Sequence, residues 1–299
     1  MAAPMTEIRR VGVLGCGLMG TGIAQVAAAA GYETLVRDVA PEIWSRARAN
    51  IEKSLAKLIE KGKFTAADRD ATLKRLAFTT ATRDLKACNI VLEAVTEDLE
   101  LKNALWKELD QVCGPATIFA SNTSSLTIAA MAAATKRGDR FVGLHFFNPV
   151  PLMQLVEVVR TVTTSDDTYA RAFAFAKSLG KEPVAAKDAS GFLVNLLLVP
   201  YLLDAVRAVE RHVGSVTDID RAMQLGCGHP MGPLTLLDFV GLDTTHKIAE
   251  IMFHEYREAK YAPPPLLRRM VLAGMMGRKS GKGFYDYSVD PPASSDLGL

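Results

Sequence analysis

The chain has 299 residues, long enough for two domains, and its 49% hydrophobic and 23% charged residues are those of an ordinary soluble globular protein. A formal charge of +2, with lysines and arginines interspersed among acids as in IEKSLAKLIEKGKF, argues against nucleic acid or a membrane surface as partner. No uninterrupted apolar run reaches the roughly 18 residues of a membrane span, which excludes a transmembrane protein of the helical kind.

The opening MAAPMTEIRRVGVLG passes almost directly into a strand, without the pattern of a secretory signal. Val11 to Leu14 form an apolar strand that runs into Gly15-Cys16-Gly17-Leu18-Met19-Gly20, then an alanine-rich helix ending near Gly31, then a second strand ending at Asp38. This order of strand, glycine turn, helix and strand binds a dinucleotide. Gly15 permits the tight turn, Gly17 lets the backbone approach a pyrophosphate, and Gly20 allows helix and strand to pack closely. Leu18 and Met19 complete the turn, whose free N–H groups at the helix start face the phosphates. Asp38, 18 residues after Gly20, stands where a carboxylate accepts from ribose hydroxyls and repels a 2′-phosphate. The expected cofactor is therefore NAD rather than NADP, with Arg37 the one residue arguing the other way.

Helical and strand patterns then alternate: a long amphipathic helical stretch from about Pro41 to Leu76, the strand NIVLEAV, a helix from about Leu99 to Val112, and the strand ATIFASN. Such alternation implies a doubly wound parallel sheet with helices on both faces, a Rossmann-type α/β fold. Ligands of these sheets sit beyond the carboxyl ends of the strands. Glu97 follows one strand end, Asn122 to Ser125 another, and His145 lies near a third. SNTSSL at 121–126 is either a helix cap after a strand or part of a site.

LHFFNPVPLMQLVEV, Leu144 to Val158, contains one histidine and one glutamate in an otherwise apolar run. In extended structure His145 shares a face with Phe141 and Gly143, and Glu157 with Met153, Leu155 and Val159. A carboxylate on an apolar face needs a partner. Asn148, Pro149 and Pro151 separate two strands whose His145 and Glu157 can meet. The pairing alone leaves a structural and a catalytic role equally open.

After GKEPVAAKDASGF the strand signal stops, so the domain boundary is placed at Lys187: residues 1–187 form the nucleotide-binding domain and 188–299 a smaller all-helical domain. GFLVNLLLVPYLLDAVRAVER has helical spacing interrupted by Pro200, and helices are expected at about 217–225, 233–257 and 264–274. Asn195 sits among apolar residues, where an amide needs partners of a structural or functional kind. The tail PPASSDLGL has the composition of a disordered segment. Cys16, Cys88, Cys113 and Cys227 form no CxxC pair and no metal-ligand spacing with the histidines, so buried reduced thiols and no metal are expected, in the cytoplasm.

With the glycine turn, SNTSSL, HFFNPVPLMQLVEV, GFLVN, HPMGPLTLLDFVGLD and GRKSGKGFYDY in this order, the sequence closely resembles the L-3-hydroxyacyl-CoA dehydrogenase family over nearly its whole length. HFFNP with a glutamate 12 residues after its histidine is highly specific, and the chain length is similar to that of the monofunctional members, including 3-hydroxybutyryl-CoA dehydrogenases. The resemblance implies NAD-dependent interconversion of 3-hydroxyacyl-CoA and 3-oxoacyl-CoA. It makes His145 the general acid/base and Glu157 its orienting partner, with Ser124 and Asn195 beside the substrate oxygen. It places Asp38, Glu97, Lys102, Ser124, Asn148 and Lys279 at NAD, Ser54 and Lys61 at the CoA portion, and a homodimer contact in the helical domain. The chain departs from the family's DxPGFIVNR at Ser190, in place of proline, and at Leu196, in place of arginine. Rival readings are a dehydrogenase of a free hydroxy acid, of the gulonate type, and a non-catalytic NAD-binding protein.

Overall fold

The computed structural model describes residues 7–298. The opening of the segment read for a leader, through residue 6, and the last residue of the tail lie outside that range. The chain forms two compact units, Met1–Phe192 and Leu193–Leu299.

In the first unit the strands are β1 (Arg10–Leu14), β2 (Glu33–Arg37), β3 (Leu76–Thr79), β4 (Ile90–Glu93), β5 (Ile118–Ser121), β6 (Phe141–Phe146), β7 (Leu155–Arg160) and β8 (Glu182–Lys187). The helices are α1 (Leu18–Ala29), α2 (Pro41–Glu60), α3 (Ala66–Lys74), α4 (Leu99–Val112), α5 (Ile128–Ala132) and α6 (Asp166–Ser178). One eight-stranded sheet has the order β3-β2-β1-β4-β5-β6-β7-β8. The first six strands are parallel, in the order expected of a Rossmann fold. The sheet is mostly rather than wholly parallel, because β7 runs antiparallel to β6 and β8 follows β7 in parallel. Asn148 and the two prolines allow a short return between β6 and β7, whereas a parallel neighbour would need a long crossover.

The single helical stretch expected from Pro41 to Leu76 is two helices and the start of a strand. Gly62 takes a left-handed conformation (φ 65°) after α2, and Thr65 opens α3 with a capping box to Asp68.

Strand residues alternate between two cores. Val11, Val13, Ile90, Leu92, Val142, Leu144, Val156 and Val158 enter one. Leu14, Val91, Phe119, Phe141 and Val159 enter the other, with Trp106 of α4, Ile128 and Met131 of α5, and Phe192. By the same alternation Glu93, Ser121, His145 and Glu157 all lie on the second face. Four polar residues thus gather on one side of the sheet at β4 to β7.

The compact units divide between Phe192 and Leu193, beyond Lys187. Residues just after β8 are bonded into the first unit: Asp188 accepts from Ile128 N–H and Ala129 N–H, both at 2.7 Å, capping α5.

The second unit comprises α7 (Val194–Glu210), α8 (Val216–Cys227), α9 (Pro233–Val240), α10 (Leu242–Tyr256), α11 (Pro265–Leu272) and the strands β9 (Tyr285–Asp286) and β10 (Ala293–Ser294). The helix expected over 233–257 is broken between α9 and α10 at Gly241, whose φ of 103° no helix accommodates. Within the tail, where disorder was expected, Ala293 and Ser294 form a short strand paired with Asp286 and Tyr285. Cys227 is exposed, unlike the other three cysteines. Among the described residues no helix is long and apolar enough to cross a membrane.

Asp220 organises this unit. It is buried on α8 and accepts from Leu234 N–H (2.7 Å), Thr235 N–H (2.9 Å), the Thr235 hydroxyl (2.6 Å) and the Tyr285 hydroxyl (2.9 Å). It therefore caps α9 from another helix while holding β9. Asp220→Ala leaves these buried donors without an acceptor and is expected to cost about 2–4 kcal/mol, read from urea unfolding of the purified protein.

Candidate active site

The glycine turn connects β1 to α1. A Cβ at Gly20 would fall 1.8 Å from the Gly15 carbonyl oxygen, so the close approach of helix and strand depends on glycine there. A Cβ at Gly17 would meet no protein atom within 4 Å, so nothing inside the molecule demands glycine at that position. The missing side chain leaves open space at the start of α1, beside Leu18, which is 72% exposed. An open backbone at a helix N-terminus fits a dinucleotide's phosphates. Asp38, following β2, accepts from Cys16 N–H at 2.5 Å and from Val39 N–H at 2.7 Å, tying the second strand to the turn. Burial and the Asp38 carboxylate push the Cys16 thiol up to about 12, so it remains protonated at neutral pH.

The carboxyl ends of β4, β5 and β6 are joined by side chains. Glu97, just beyond β4, accepts from the hydroxyls of Thr123 and Ser125 and from Ser124 N–H at 3.2 Å. SNTSSL is therefore a loop built around a carboxylate. Burial raises the Glu97 carboxyl, but the Lys102 ammonium and the bonds from Thr123, Lys102 and Ser125 outweigh it, and the net direction is downward. Glu97 is consequently ionised at neutral pH. Asn122 accepts from Phe146 N–H at 2.9 Å, fixing the same loop to the strand that carries His145.

His145 and Glu157 are directly opposite each other in the antiparallel register of β6 and β7. Nδ1 of His145 lies 2.6 Å from Oε2 of Glu157, and both side chains are buried. With a carboxylate facing it, Nδ1 is the ring nitrogen that carries the proton of this bond, and Nε2 takes no part in the pair. Phe147 and Phe192 pack against the imidazole, at centroid distances of 4.4 and 5.6 Å.

Lys102, read as a cofactor contact, is buried on α4, with its ammonium 2.6 Å from Glu93 and 3.1 Å from Glu97. Glu93 was not singled out from the sequence. The argument applied to Glu157 also reaches it, since NIVLEAV places a carboxylate at the end of an apolar strand. Ser190, the departure from the family's proline, donates its hydroxyl to the Ser125 carbonyl at 2.6 Å, a bond proline cannot make. Leu196, in place of arginine, packs on the core of the second unit.

The other candidates are placed as follows. Asn148 is exposed beyond β6. Ser54 is half-buried on α2, and Lys61 is exposed at its end, two turns away along one side. In the second unit Asn195 lies in the first turn of α7. Lys279 there is exposed and bonded to Asp243 at 2.7 Å.

A Rossmann sheet, a dinucleotide turn and a buried histidine–glutamate pair define a two-domain, dinucleotide-dependent oxidoreductase. Residues 10–189 match the 3-hydroxyacyl-CoA dehydrogenase NAD binding domain, and residues 191–287 match the C-terminal domain of the same family. The chain belongs to the 3-hydroxyacyl-CoA dehydrogenase family, and NAD is its dinucleotide. It is 51% identical over 282 residues to a 3-hydroxybutyryl-CoA dehydrogenase of Mycobacterium tuberculosis, covering 94% of this chain and 99% of the relative. It is 48% identical over 289 residues to the mitochondrial hydroxyacyl-coenzyme A dehydrogenase of Homo sapiens, covering 94% of this chain and 91% of that one. The crystal structure of (S)-3-hydroxybutyryl-CoA dehydrogenase from Ralstonia eutropha superposes with a TM-score of 0.91 at 45% identity, over 95% of this chain and all of that one.

Removing the Lys102 ammonium strands the fully buried Glu93 carboxylate. Lys102→Met is expected to lose about 3–5 kcal/mol of stability, measured by denaturant unfolding at neutral pH.

Proposed function

We propose that the protein interconverts (S)-3-hydroxyacyl-CoA and 3-oxoacyl-CoA with NAD, on short chains such as 3-hydroxybutyryl-CoA and acetoacetyl-CoA. The observation that carries this reading is the 2.6 Å contact between His145 Nδ1 and Glu157 on neighbouring strands. The names of the relatives at about half identity support the substrate class.

In oxidation His145 Nε2 takes the proton of the C3 hydroxyl, and the imidazolium so formed is stabilised by Glu157 at Nδ1. NAD, when bound, supplies the acceptor of the hydride from C3, and NADH its donor in the reverse direction. In reduction the imidazolium returns its proton to the oxygen. The Ser124 hydroxyl and the Asn195 amide hydrogen-bond that oxygen while it carries charge. Gly15, Gly17, Leu18, Met19 and Gly20 hold the pyrophosphate and Asp38 the ribose. Glu97, Lys102, Asn148 and Lys279 serve the rest of the cofactor, Lys102 through Glu97. Ser54 and the exposed Lys61 ammonium meet the CoA portion, with Lys61 at a phosphate. The active form on this reading is a homodimer through the helical unit.

The test is NADH consumption, followed by absorbance. Acetoacetyl-CoA is expected to be turned over rapidly with NADH, slowly with NADPH and slowly as free acetoacetate; equal rates with the free acid would refute the CoA reading. His145→Gln is expected to lower kcat by about 10²- to 10⁴-fold with NADH binding intact, as for loss of a general base. Near wild-type turnover in that variant would remove His145 from the chemistry.

A further inference from the structure

Glu93 has no part in the chemistry above, yet it is an enclosed acid in the network around Glu97. As the last residue of β4 it is fully buried. Its Oε1 accepts from Lys102 Nζ at 2.6 Å and Val95 N–H at 2.8 Å, and its Oε2 accepts from the Ser121 hydroxyl at 2.6 Å. Lys102 turns its ammonium to Glu97 as well, at 3.1 Å. One cation therefore serves two anions, and these three side chains sum to one negative charge. Only Glu97 among them has appreciable exposure, 21% against 1% for Lys102 and none for Glu93. The charge of the group is presented to a ligand through Glu97.

We propose that Glu93 is a positioning residue that sets the charge Glu97 presents to the cofactor: by engaging Lys102 from behind, it keeps the Glu97 side of the group anionic and favours the oxidised, cationic nicotinamide over the reduced, neutral one. The inference rests on the functional reading that puts Ser124 beside the reacting oxygen. Hydride passes directly between C3 and the nicotinamide ring, so the ring must lie against the carbon that bears that oxygen. Glu97 accepts the N–H of Ser124 at 3.2 Å, which brings its carboxylate into the same neighbourhood. NAD+ and NADH differ in charge at the ring and share the rest of the dinucleotide. A nearby carboxylate whose cation is held by another acid therefore separates the two forms by Coulomb attraction. Were Lys102 left to Glu97 alone, the pair would be neutral and the preference would weaken.

Two substitutions separate charge from shape. Glu93→Gln keeps the length of the side chain, an acceptor for Lys102 and a group that reaches Ser121, but removes one negative charge. Glu93→Asp keeps the charge and shortens the side chain. The measurement is Kd for NADH, from its fluorescence, and Kd for NAD+, by displacement of NADH, on wild type and both variants, with thermal melting to verify folding. Glu93→Gln is expected to shift the ratio of the two constants about three- to tenfold toward NADH. Glu93→Asp is expected to leave the ratio at its wild-type value even where both affinities fall. An unchanged ratio in Glu93→Gln, or an equal shift in Glu93→Asp, would overturn the proposal and leave Glu93 a purely structural acid. If Glu93→Gln does not fold, Glu93→Asp can still overturn the proposal, because a shifted ratio in a variant that keeps the charge contradicts the electrostatic role. Failure of the functional reading is seen separately, as absence of acetoacetyl-CoA turnover by the wild-type protein.

Discussion

Two carboxylates withdrawn from water, Glu93 and Glu157, constrain the rest of the first unit. An ionised carboxylate in an apolar interior is strongly disfavoured unless charges and donors are held against it. Each here is the one acid of its strand, flanked by apolar residues, and each is met from a neighbouring segment: Glu157 by His145 across the β6–β7 ladder, Glu93 by Lys102 of α4 and Ser121 of β5. The order β4-β5-β6-β7 sets these partners side by side on one face. A one-residue slip of register would turn any of them to the opposite face and leave its partner alone. Sheet register and the geometry of the candidate site are therefore the same constraint.

The loops beyond the strands extend that network. Glu97 gathers Thr123, Ser124 and Ser125, Asn122 holds Phe146, and Ser190 reaches back to the Ser125 carbonyl. The proposed chemistry would draw on such a frame, because preorganised dipoles and donors need not reorient as charge develops. The departure at Ser190 belongs to this frame, supplying a donor where proline has none.

Local patterns were legible in the sequence because local forces make them. The glycine turn is marked within six residues, by the positive φ at Gly15 and the close approach at Gly20, and the dinucleotide fold follows from alternating strand and helix periods. The carboxylate at Glu157 announced a need for a partner, and His145, at the end of the preceding strand, was one it could meet. Breaks governed by a single residue were less visible: Gly62 ends α2 and Gly241 divides α9 from α10, although hydrophobic spacing runs through both. The four-residue β3 is too short for its alternation to stand out from the amphipathic stretch before it.

By itself, then, the sequence determined the Rossmann class, the glycine cradle, the His145 and Glu157 candidates and a helical second half, since each rests on spacing along the chain. Tertiary structure alone decided that β7 reverses, that His145 faces Glu157 in register, that Lys102 is shared between Glu93 and Glu97, and that Asp188 and Ser190 bind back into the first unit. Those outcomes depend on which distant segments become neighbours. That choice is made by burying apolar faces and satisfying every enclosed charge together, and no stretch of sequence carries it alone.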